Sequence, residues 1–309
     1  MIGSAFILGG TGQIGTAVAE RLRAAGWEVT TAARTGGDVR VDRGDGLELP
    51  GDYDALVDCV AFTREHAEQL LELEGRVGTL VVISSASVYT DDLAHAQLPV
   101  PIPEDHPTVE PGDADYSTNK RALELALLEQ DRVPATVLRP CAIHGAHAHG
   151  HVREWYFVKR AQDGRPHVLL AYHGQSRFHT TATVNLAELV HLACERPGTR
   201  VLNAGDPDPP TTLEISRTIA RLTGHHRVEY LVEKAPEAAR SPWAVRHPLV
   251  VDMAAAEREL GYRPVADYAG AVEQTVRWLL DEQPPLGEYM STFFDYDAED
   301  EYVRRLAAA

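Results

Sequence analysis

A tyrosine and a lysine four residues apart are the side chains of this 309-residue sequence best suited to moving a proton. Tyr116 and Lys120 lie in a segment rich in Ala, Leu and Glu, which predicts a helix over residues 115–129 with both side chains on one face. An ammonium beside a phenol stabilises the phenolate and lowers the tyrosine pKa from its usual value of about 10. Tyr116 is therefore predicted to act as a general acid or base, with Lys120 supporting it.

A run of hydroxyl side chains directly follows a buried apolar segment. Residues 79–84 predict a strand. Three of the four residues at the end of this strand, 84–87, are serines. Because the carboxyl ends of parallel strands face the ligand crevice, a serine there can hydrogen-bond a reacting oxygen while a tyrosine handles the proton. The alternative is that these serines only satisfy the backbone of a turn.

A glycine-rich loop lies close to the N-terminus, between a predicted strand at residues 4–8 and a predicted helix at residues 14–25. Glycines permit a tight turn and close approach of a pyrophosphate, while the helix N-terminus offers free N–H groups and a positive dipole end. This context predicts a site for a nicotinamide dinucleotide. The predicted contacts in the loop are Gly9, Thr11, Gly12, Gln13, Ile14 and Gly15.

The end of the second predicted strand, residues 27–33, bears on which dinucleotide binds. A carboxylate there would hold the ribose hydroxyls of NAD, whereas Arg34 suits the additional 2′-phosphate of NADP. NADP is therefore the favoured cofactor and NAD the alternative, unless Arg34 is an ordinary surface arginine. Asp42, at the end of a predicted third strand, is expected to reach the adenine.

Strands and helices alternate through the first half of the sequence. This order predicts an α/β fold built on a doubly wound parallel sheet (Rossmann), with a smaller C-terminal substrate lobe. The predicted dinucleotide-binding domain spans residues 1–142 and also takes segments near 180–205, and residues 143–309 mainly form the substrate-binding lobe. Further predicted elements are strands at 54–61 and 134–139 and helices at 65–73, 185–194 and 212–222.

Composition narrows the classes of partner. A formal net charge of −17 argues against nucleic-acid binding, because such a surface repels polyphosphate. No apolar run is long enough for a membrane span, and no secretory signal is recognisable, so a cytoplasmic location is expected. The crowded histidines His144, His147, His149 and His151 lack a recognised ligand spacing, so no metal site is predicted and a loop lining the substrate crevice is expected.

Several motifs, spread in order over residues 1–264, together resemble the extended short-chain dehydrogenases, the NAD(P)-dependent nucleotide-sugar epimerase and dehydratase superfamily. They are Gly9–Gly15, Ser84–Tyr89, Tyr116–Lys120, Leu138-Arg139-Pro140, His144-Gly145, Arg177-Phe178-His179 and Glu259–Pro264. The resemblance implies that Ser85 polarises the substrate, that Tyr116 is the acid/base and that Lys120 also holds the nicotinamide ribose. It further implies cofactor contacts from Val60, Ala61, Phe62, Pro140 and Ile143, together with Tyr116 and Lys120.

The expected substrate is a small molecule, either a nucleotide sugar or a small carbonyl compound. The candidate substrate contacts are Ser87, His144, Arg153 and Arg177. The resemblance implies that Arg177 grips a nucleotide-sugar diphosphate, and Arg153 and Arg177 are favoured for an anionic group because the chain is otherwise poor in basic residues.

The chain departs from the family pattern at three places: at residues 86–87, in the link from Ala61 to Thr79, and at Thr90, where a glycine is typical. Ala86-Ser87 stands where the dehydratases carry an Asp-Glu pair, which argues against a sugar 4,6-dehydratase. The short link from Ala61 to Thr79 resembles a side branch in which some members bind RNA, and it leaves a homodimer open.

The predicted function is an NAD(P)-dependent epimerase or reductase that transfers hydride at a carbinol or carbonyl carbon. The alternative is a non-catalytic member that senses a dinucleotide or binds RNA.

Overall fold

The computed structural model describes residues 3–90, 92, 96–148 and 152–308. Its strands are β1 (Ser4–Leu8), β2 (Glu28–Ala33), β3 (Val39–Arg40), β4 (Ala55–Asp58), β5 (Leu80–Ile83), β6 (Ala135–Pro140), β7 (Ala142–His144), β8 (His167–Leu170), β9 (Thr180–Ala182), β10 (Arg200–Ala204) and β11 (Val228–Leu231). Its α-helices are α1 (Gln13–Ala24), α2 (Arg64–Leu71), α3 (Tyr116–Leu128), α4 (Trp155–Gln162), α5 (Thr183–Glu195), α6 (Thr212–Thr223), α7 (Ala254–Leu260), α8 (Tyr268–Glu282), α9 (Gly287–Ser291) and α10 (Tyr296–Ala308). No helix in these ranges is long and apolar enough to cross a bilayer.

A seven-stranded parallel sheet in the order β10-β6-β5-β4-β1-β2-β3 forms the centre of the molecule. The chain order reverses between β1 and β4, so the carboxyl ends of these strands flank a crevice of the kind that binds ligands in doubly wound folds. The predicted α/β class and Rossmann-type sheet are confirmed.

Alternating side chains of the strands bury both faces of the sheet. Along β1, Ala5 and Ile7 join an apolar cluster with α1, α5 and α7, whereas Phe6 and Leu8 join a second cluster with α2 and α3. Since both faces are covered, the strands read as continuous apolar runs, which is why their positions could be predicted within a few residues.

A second lobe has its own apolar core. Helices α4, α6 and α8 pack together there around Tyr156, Phe157, Ile219 and Val276. Two short parallel sheets, β7 with β9 and β8 with β11, complete the lobe. Residues of α5, β10 and α7 pack with the large sheet instead, so the chain returns to that sheet twice after β7.

Candidate active site

The loop between β1 and α1 has little room for side chains. Gly9 has a φ of +77°, a Cβ on Gly10 would lie 2.6 Å from Thr31 Cβ, and a Cβ on Gly15 would lie 2.2 Å from the Gly9 carbonyl oxygen. Gly12 caps α1 without a side-chain hydrogen bond, which leaves the helix N-terminus open to an anion. This cradle fits the pyrophosphate of a dinucleotide.

The predicted residues of the loop take different positions around this cradle. Thr11 is exposed, and its Cγ2 lies 3.4 Å from where a Cβ of Gly36 would be. Ile14 packs against the apolar cluster of α1 and α5. Gln13 turns toward the second lobe and donates to the Gly145 carbonyl at 3.2 Å.

The end of β2 presents a cation, and the first carboxylate after it is turned away. Arg34 is exposed and, within the described residues, makes no hydrogen bond or ion pair. The Asp38 carboxylate accepts hydrogen bonds from the N–H and hydroxyl of Thr31, both at 2.8 Å. These bonds hold the pKa of Asp38 below its usual value. Asp42 is exposed, and its carboxylate accepts from Gly44 N–H, capping a short 3-10 helix.

Sequence reasoning missed Asp58, which organises the segment after β4. Its Oδ1 accepts from the N–H groups of Val60 and Ala61 at 2.8 and 2.7 Å, and its Oδ2 lies 2.8 Å from the Arg43 guanidinium. Two predicted cofactor contacts are therefore held by a buried carboxylate. The one acid within the otherwise apolar residues 55–61 was the signal that could have revealed it.

Ser85, Tyr116 and Lys120 lie together at the carboxyl edge of the sheet. Tyr116 is the first residue of α3, half of its surface is exposed, and the Ser85 hydroxyl lies close enough to influence its pKa. Its ring centroid lies 5.4 Å from that of Phe62. Lys120 is buried, with Nζ 5.7 Å from the centre of the tyrosine ring. The three predicted catalytic side chains are thus neighbours, as their types require for joint action.

The electrostatics of this trio differ from the prediction in one respect. Lys120 Nζ donates to the carbonyls of Ala61 and Ile83 at 2.7 and 2.9 Å, and burial lowers the pKa of this lysine to about 8 against the opposing charges of Asp58 and Glu124. Burial raises the pKa of Tyr116, although the neighbouring Ser85 hydroxyl acts the other way. The predicted lowering of the Tyr116 pKa by Lys120 is not found in this structure, where burial is the largest influence on the phenol.

A buried ion pair holds the elements that carry the trio. The Glu124 carboxylate, on α3, accepts from Ser84 Oγ at 2.6 Å and from two nitrogens of Arg139 at 2.9 and 2.6 Å. Arg139 also donates to the Tyr89 hydroxyl at 3.0 Å. These contacts join α3 to the ends of β5 and β6 and so set the positions of the catalytic side chains.

Three other predicted residues lie on the chain segments around the crevice. The Ser87 hydroxyl is buried and, within the described residues, has no hydrogen-bond partner. Pro140 is buried at the end of β6, and Ile143 is partly buried on β7.

The prediction that His144 contacts substrate is not supported, because the residue is 1% exposed. Its Nε2 lies 2.9 Å from Asp206 Oδ2, and its Nδ1 lies 3.4 Å from Thr275 Oγ1. His147 is exposed, whereas His149 and His151 lie outside the described residues. No group of three or more His, Cys, Asp or Glu side chains suited to a metal ion occurs in the described parts of the chain.

Arg153 and Arg177 are partly buried in the second lobe. The Arg153 guanidinium lies 4.0 Å from the Phe178 ring centroid and donates to the Pro242 carbonyl. Arg177 donates to the Pro209 carbonyl. Each guanidinium donates to a backbone carbonyl, and one carboxylate interacts with each cation, Glu154 with Arg153 and Glu214 with Arg177.

The chain is similar to known proteins both in sequence and in fold. The family model described as the NAD dependent epimerase/dehydratase family matches residues 5–205. No curated protein matches the sequence significantly. A UDP-N-acetylglucosamine 4-epimerase structure from Bacillus cereus shares 20% identity over 91% of this chain and 97% of its own, with a TM-score of 0.70.

Two further structures have the same fold. MoeE5 in complex with UDP-glucose and NAD shares 18% identity over 91% of this chain and 100% of its own, with a TM-score of 0.68. A dTDP-glucose 4,6-dehydratase from Bacillus anthracis in complex with NAD shares 15% identity over 91% and 97%, with a TM-score of 0.67. At such low identity these similarities show a common fold, while the family match rests on the sequence itself.

Proposed function

The chain belongs to the NAD-dependent epimerase/dehydratase family, and from this we propose that it is an NAD(P)-dependent oxidoreductase acting on a nucleotide sugar. The reacting centre would be a carbon that bears a hydroxyl or carbonyl oxygen. The observation that carries the proposal is the trio of Ser85, Tyr116 and Lys120 at the edge of the crevice that begins at the glycine loop. A small carbonyl compound is the second substrate class.

NADP is the proposed cofactor, with NAD as the alternative. The β1–α1 loop and the N-terminus of α1 would hold the pyrophosphate, and Arg34 would pair with a 2′-phosphate. Val60 and Ala61 would line the crevice on the platform that Asp58 supports. A bound nicotinamide supplies or accepts the hydride.

The chain's own residues would manage the proton and the oxygen. Ser85 would donate a hydrogen bond to the reacting oxygen, and Tyr116 would give it a proton during reduction or remove one during oxidation. Because burial raises the pKa of Tyr116, its phenol form prevails at neutral pH, which suits proton donation to a carbonyl oxygen. Lys120 would position the platform through Ala61 and the end of β5.

Two arginines of the second lobe support the proposed substrate class. Arg153 and Arg177 supply cationic groups that suit a diphosphate, and the neighbouring structures include a protein bound to UDP-glucose. Ser87, with its unpartnered hydroxyl, could bind a sugar hydroxyl. Since residues 86–87 offer no carboxylate for removing a second proton, epimerisation or reduction is favoured over dehydration.

Replacing the tyrosine hydroxyl tests the proposal. We expect Tyr116→Phe to lower turnover about 10²- to 10⁴-fold while NADPH binding, followed by fluorescence titration, stays within twofold of wild type. Turnover would be followed by NMR with UDP-glucose, UDP-N-acetylglucosamine and a panel of small ketones. Tyr302→Phe, on the C-terminal helix, is the matched control and should leave both quantities unchanged.

Two outcomes would contradict this function. Unchanged turnover in Tyr116→Phe would remove the tyrosine from the mechanism. A wild-type protein that binds dinucleotide but converts none of these substrates would favour the non-catalytic dinucleotide sensor.

A further inference from the structure

A cluster of basic side chains lines a cavity of about 610 Å³ in the second lobe. We call it the basic pocket. Its lining residues are Arg217, Ala220, Arg221, Gly224, His225, His226, Arg227 and Glu229. The chain as a whole carries a formal charge of −17, yet this cavity has three arginines and two histidines against one carboxylate. Even with Arg217 paired to Glu229, Arg221 and Arg227 leave a local excess of positive charge that favours an anionic ligand.

The basic pocket is formed where α6 ends. Gly224 terminates that helix with a φ of +64°, and the chain then turns through the two histidines into β11. None of the residues assigned above to the dinucleotide or to the reacting oxygen lines the cavity. The basic pocket is therefore a separate feature of the molecule.

Arg227 is a partly buried lining residue whose guanidinium is held by three hydrogen bonds. Its Nη1 donates to His225 Nδ1 at 2.9 Å, and its Nη2 donates to the carbonyl and hydroxyl of Ser216 at 2.9 and 2.8 Å. Because His225 Nδ1 accepts, its Nε2 carries the proton and donates to the Arg165 carbonyl at 2.8 Å. Burial and the neighbouring Arg227 lower the pKa of His225, in keeping with a neutral ring. Arg227 forms no ion pair with any described residue.

Two more arginines stand at the rim, four residues apart on α6. Arg217 Nε donates to Glu229 Oε2 at 2.9 Å, which leaves its terminal nitrogens for another partner. Arg221 Nη2 donates to the Thr218 hydroxyl at 3.0 Å, and Arg221 forms no ion pair within the described ranges. Like charges at this helical spacing repel each other, so a bound anion between them would relieve the repulsion.

We propose that the basic pocket binds a phosphate-bearing small anion, independently of the dinucleotide crevice. Guanidinium groups match phosphate oxygens in geometry and charge, and the cavity volume lies within the usual range for small-ligand sites. Its volume and its three guanidinium groups fit a diphosphate better than a single phosphate. Since the chain as a whole carries a negative charge, binding of an anion depends on these side chains and weakens as salt screens them.

Calorimetric titration of the full chain with inorganic pyrophosphate, and separately with inorganic phosphate, tests the proposal. Saturating NADPH occupies the dinucleotide site, so that any remaining pyrophosphate signal comes from the basic pocket or from the substrate site of Arg153 and Arg177, and substitutions in the basic pocket separate these two. We expect a pyrophosphate signal under these conditions, with weaker binding of phosphate. The double variant Arg217→Gln/Arg221→Gln should weaken pyrophosphate binding at least about tenfold, because two charge-assisted contacts are lost.

The matched control is Arg258→Gln/Arg277→Gln, which removes the same charge from two sites where both side chains are 67% exposed. We expect this control to bind pyrophosphate as tightly as wild type. The proposal is overturned if NADPH abolishes the signal, if no signal occurs, or if both double variants weaken binding equally. Circular dichroism would verify that each variant is folded. Failure here would leave the proposed oxidoreductase activity untouched, since the titration does not involve catalysis.

Discussion

Individual side chains at the crevice bear on which of two closely related dinucleotides, NADP or NAD, is preferred. At the end of β2, Arg34 is free to meet a 2′-phosphate, while Asp38 is bound to Thr31 and cannot take the place of a ribose-binding carboxylate without breaking those bonds. The position of one carboxylate and one guanidinium therefore favours NADP, and this preference remains a prediction.

Arg34→Ala is expected to weaken NADP binding about 10- to 100-fold, because hydrogen bonds to a charged group contribute about 1.5–3 kcal/mol. Affinity for NAD should stay within about twofold. Fluorescence titrations with NADPH and NADH measure both values. Arg132→Ala, an exposed arginine paired with Glu74, serves as the control. Equal losses for both dinucleotides would contradict a role in phosphate recognition.

At the scale of elements, the tight turn from β1 into α1 determines whether the dinucleotide crevice can form. Helix propensity alone would favour alanine over glycine at position 15 by about 1 kcal/mol. The available space at position 15 favours glycine instead, because an alanine Cβ would lie 2.2 Å from the Gly9 carbonyl oxygen and 2.7 Å from the Gly10 Cα. Both obstacles are backbone atoms, so the loop itself must move.

Gly15→Ala is therefore expected to destabilise the protein by about 1–3 kcal/mol and to weaken dinucleotide binding at least about tenfold. Thermal unfolding and NADPH titration measure these effects. Gly51→Ala is the matched control, since a Cβ there meets no atom within 4 Å. A variant as stable and as tightly binding as wild type would show that the loop tolerates a side chain.

At the scale of the whole molecule, a buried acid ties together segments distant in the sequence. The Asp206 carboxylate accepts hydrogen bonds from His144, Thr180 and Asn185 and from the N–H of Ala182. Burial opposes its ionisation, but the bond and charge of His144 prevail and lower the pKa of Asp206 to about 2. Burial likewise opposes protonation of His144, and the bond and charge of Asp206 outweigh it and raise the pKa of this histidine.

The stability that this pair contributes should depend on pH. The raised pKa of His144 makes its contribution complete below about pH 6.5 and lost as pH rises through the folded-state pKa. The lowered pKa of Asp206 makes its contribution complete above about pH 3.9 and lost as pH falls toward 2. We expect His144→Asn to cost about 3–5 kcal/mol at pH 6 and less at pH 8.

Urea unfolding at both pH values measures this difference. His173→Asn is the control, because His173 is exposed and asparagine tolerates its left-handed φ of 55°. A cost for His144→Asn that is the same at pH 6 and pH 8 would show that protonation of His144 does not contribute to stability.

Local patterns in the sequence determined the elements and the motifs that need few partners. The glycine loop and the Tyr116–Lys120 pair depend on neighbours within one turn or one helix face, so their spacing predicted their arrangement. The predicted strands of the large sheet and the predicted helices that pack on it are confirmed within a few residues. Burial on both faces of the sheet leaves a strong apolar signal in the sequence.

Only the tertiary structure decided which polar side chains meet. Glu124 and Arg139 are separated by 15 residues, Arg139 and Tyr89 by 50, and His144 and Asp206 by 62, so no local pattern pairs them. The sequence placed His144 at the crevice because it could not tell which way the side chain points after β7. The sequence also could not show that the Lys120 ammonium donates hydrogen bonds to the backbone carbonyls of Ala61 and Ile83. The physical reason is common to all: a local pattern reports whether a side chain suits burial, whereas the partner that satisfies a buried polar group comes from a distant part of the chain.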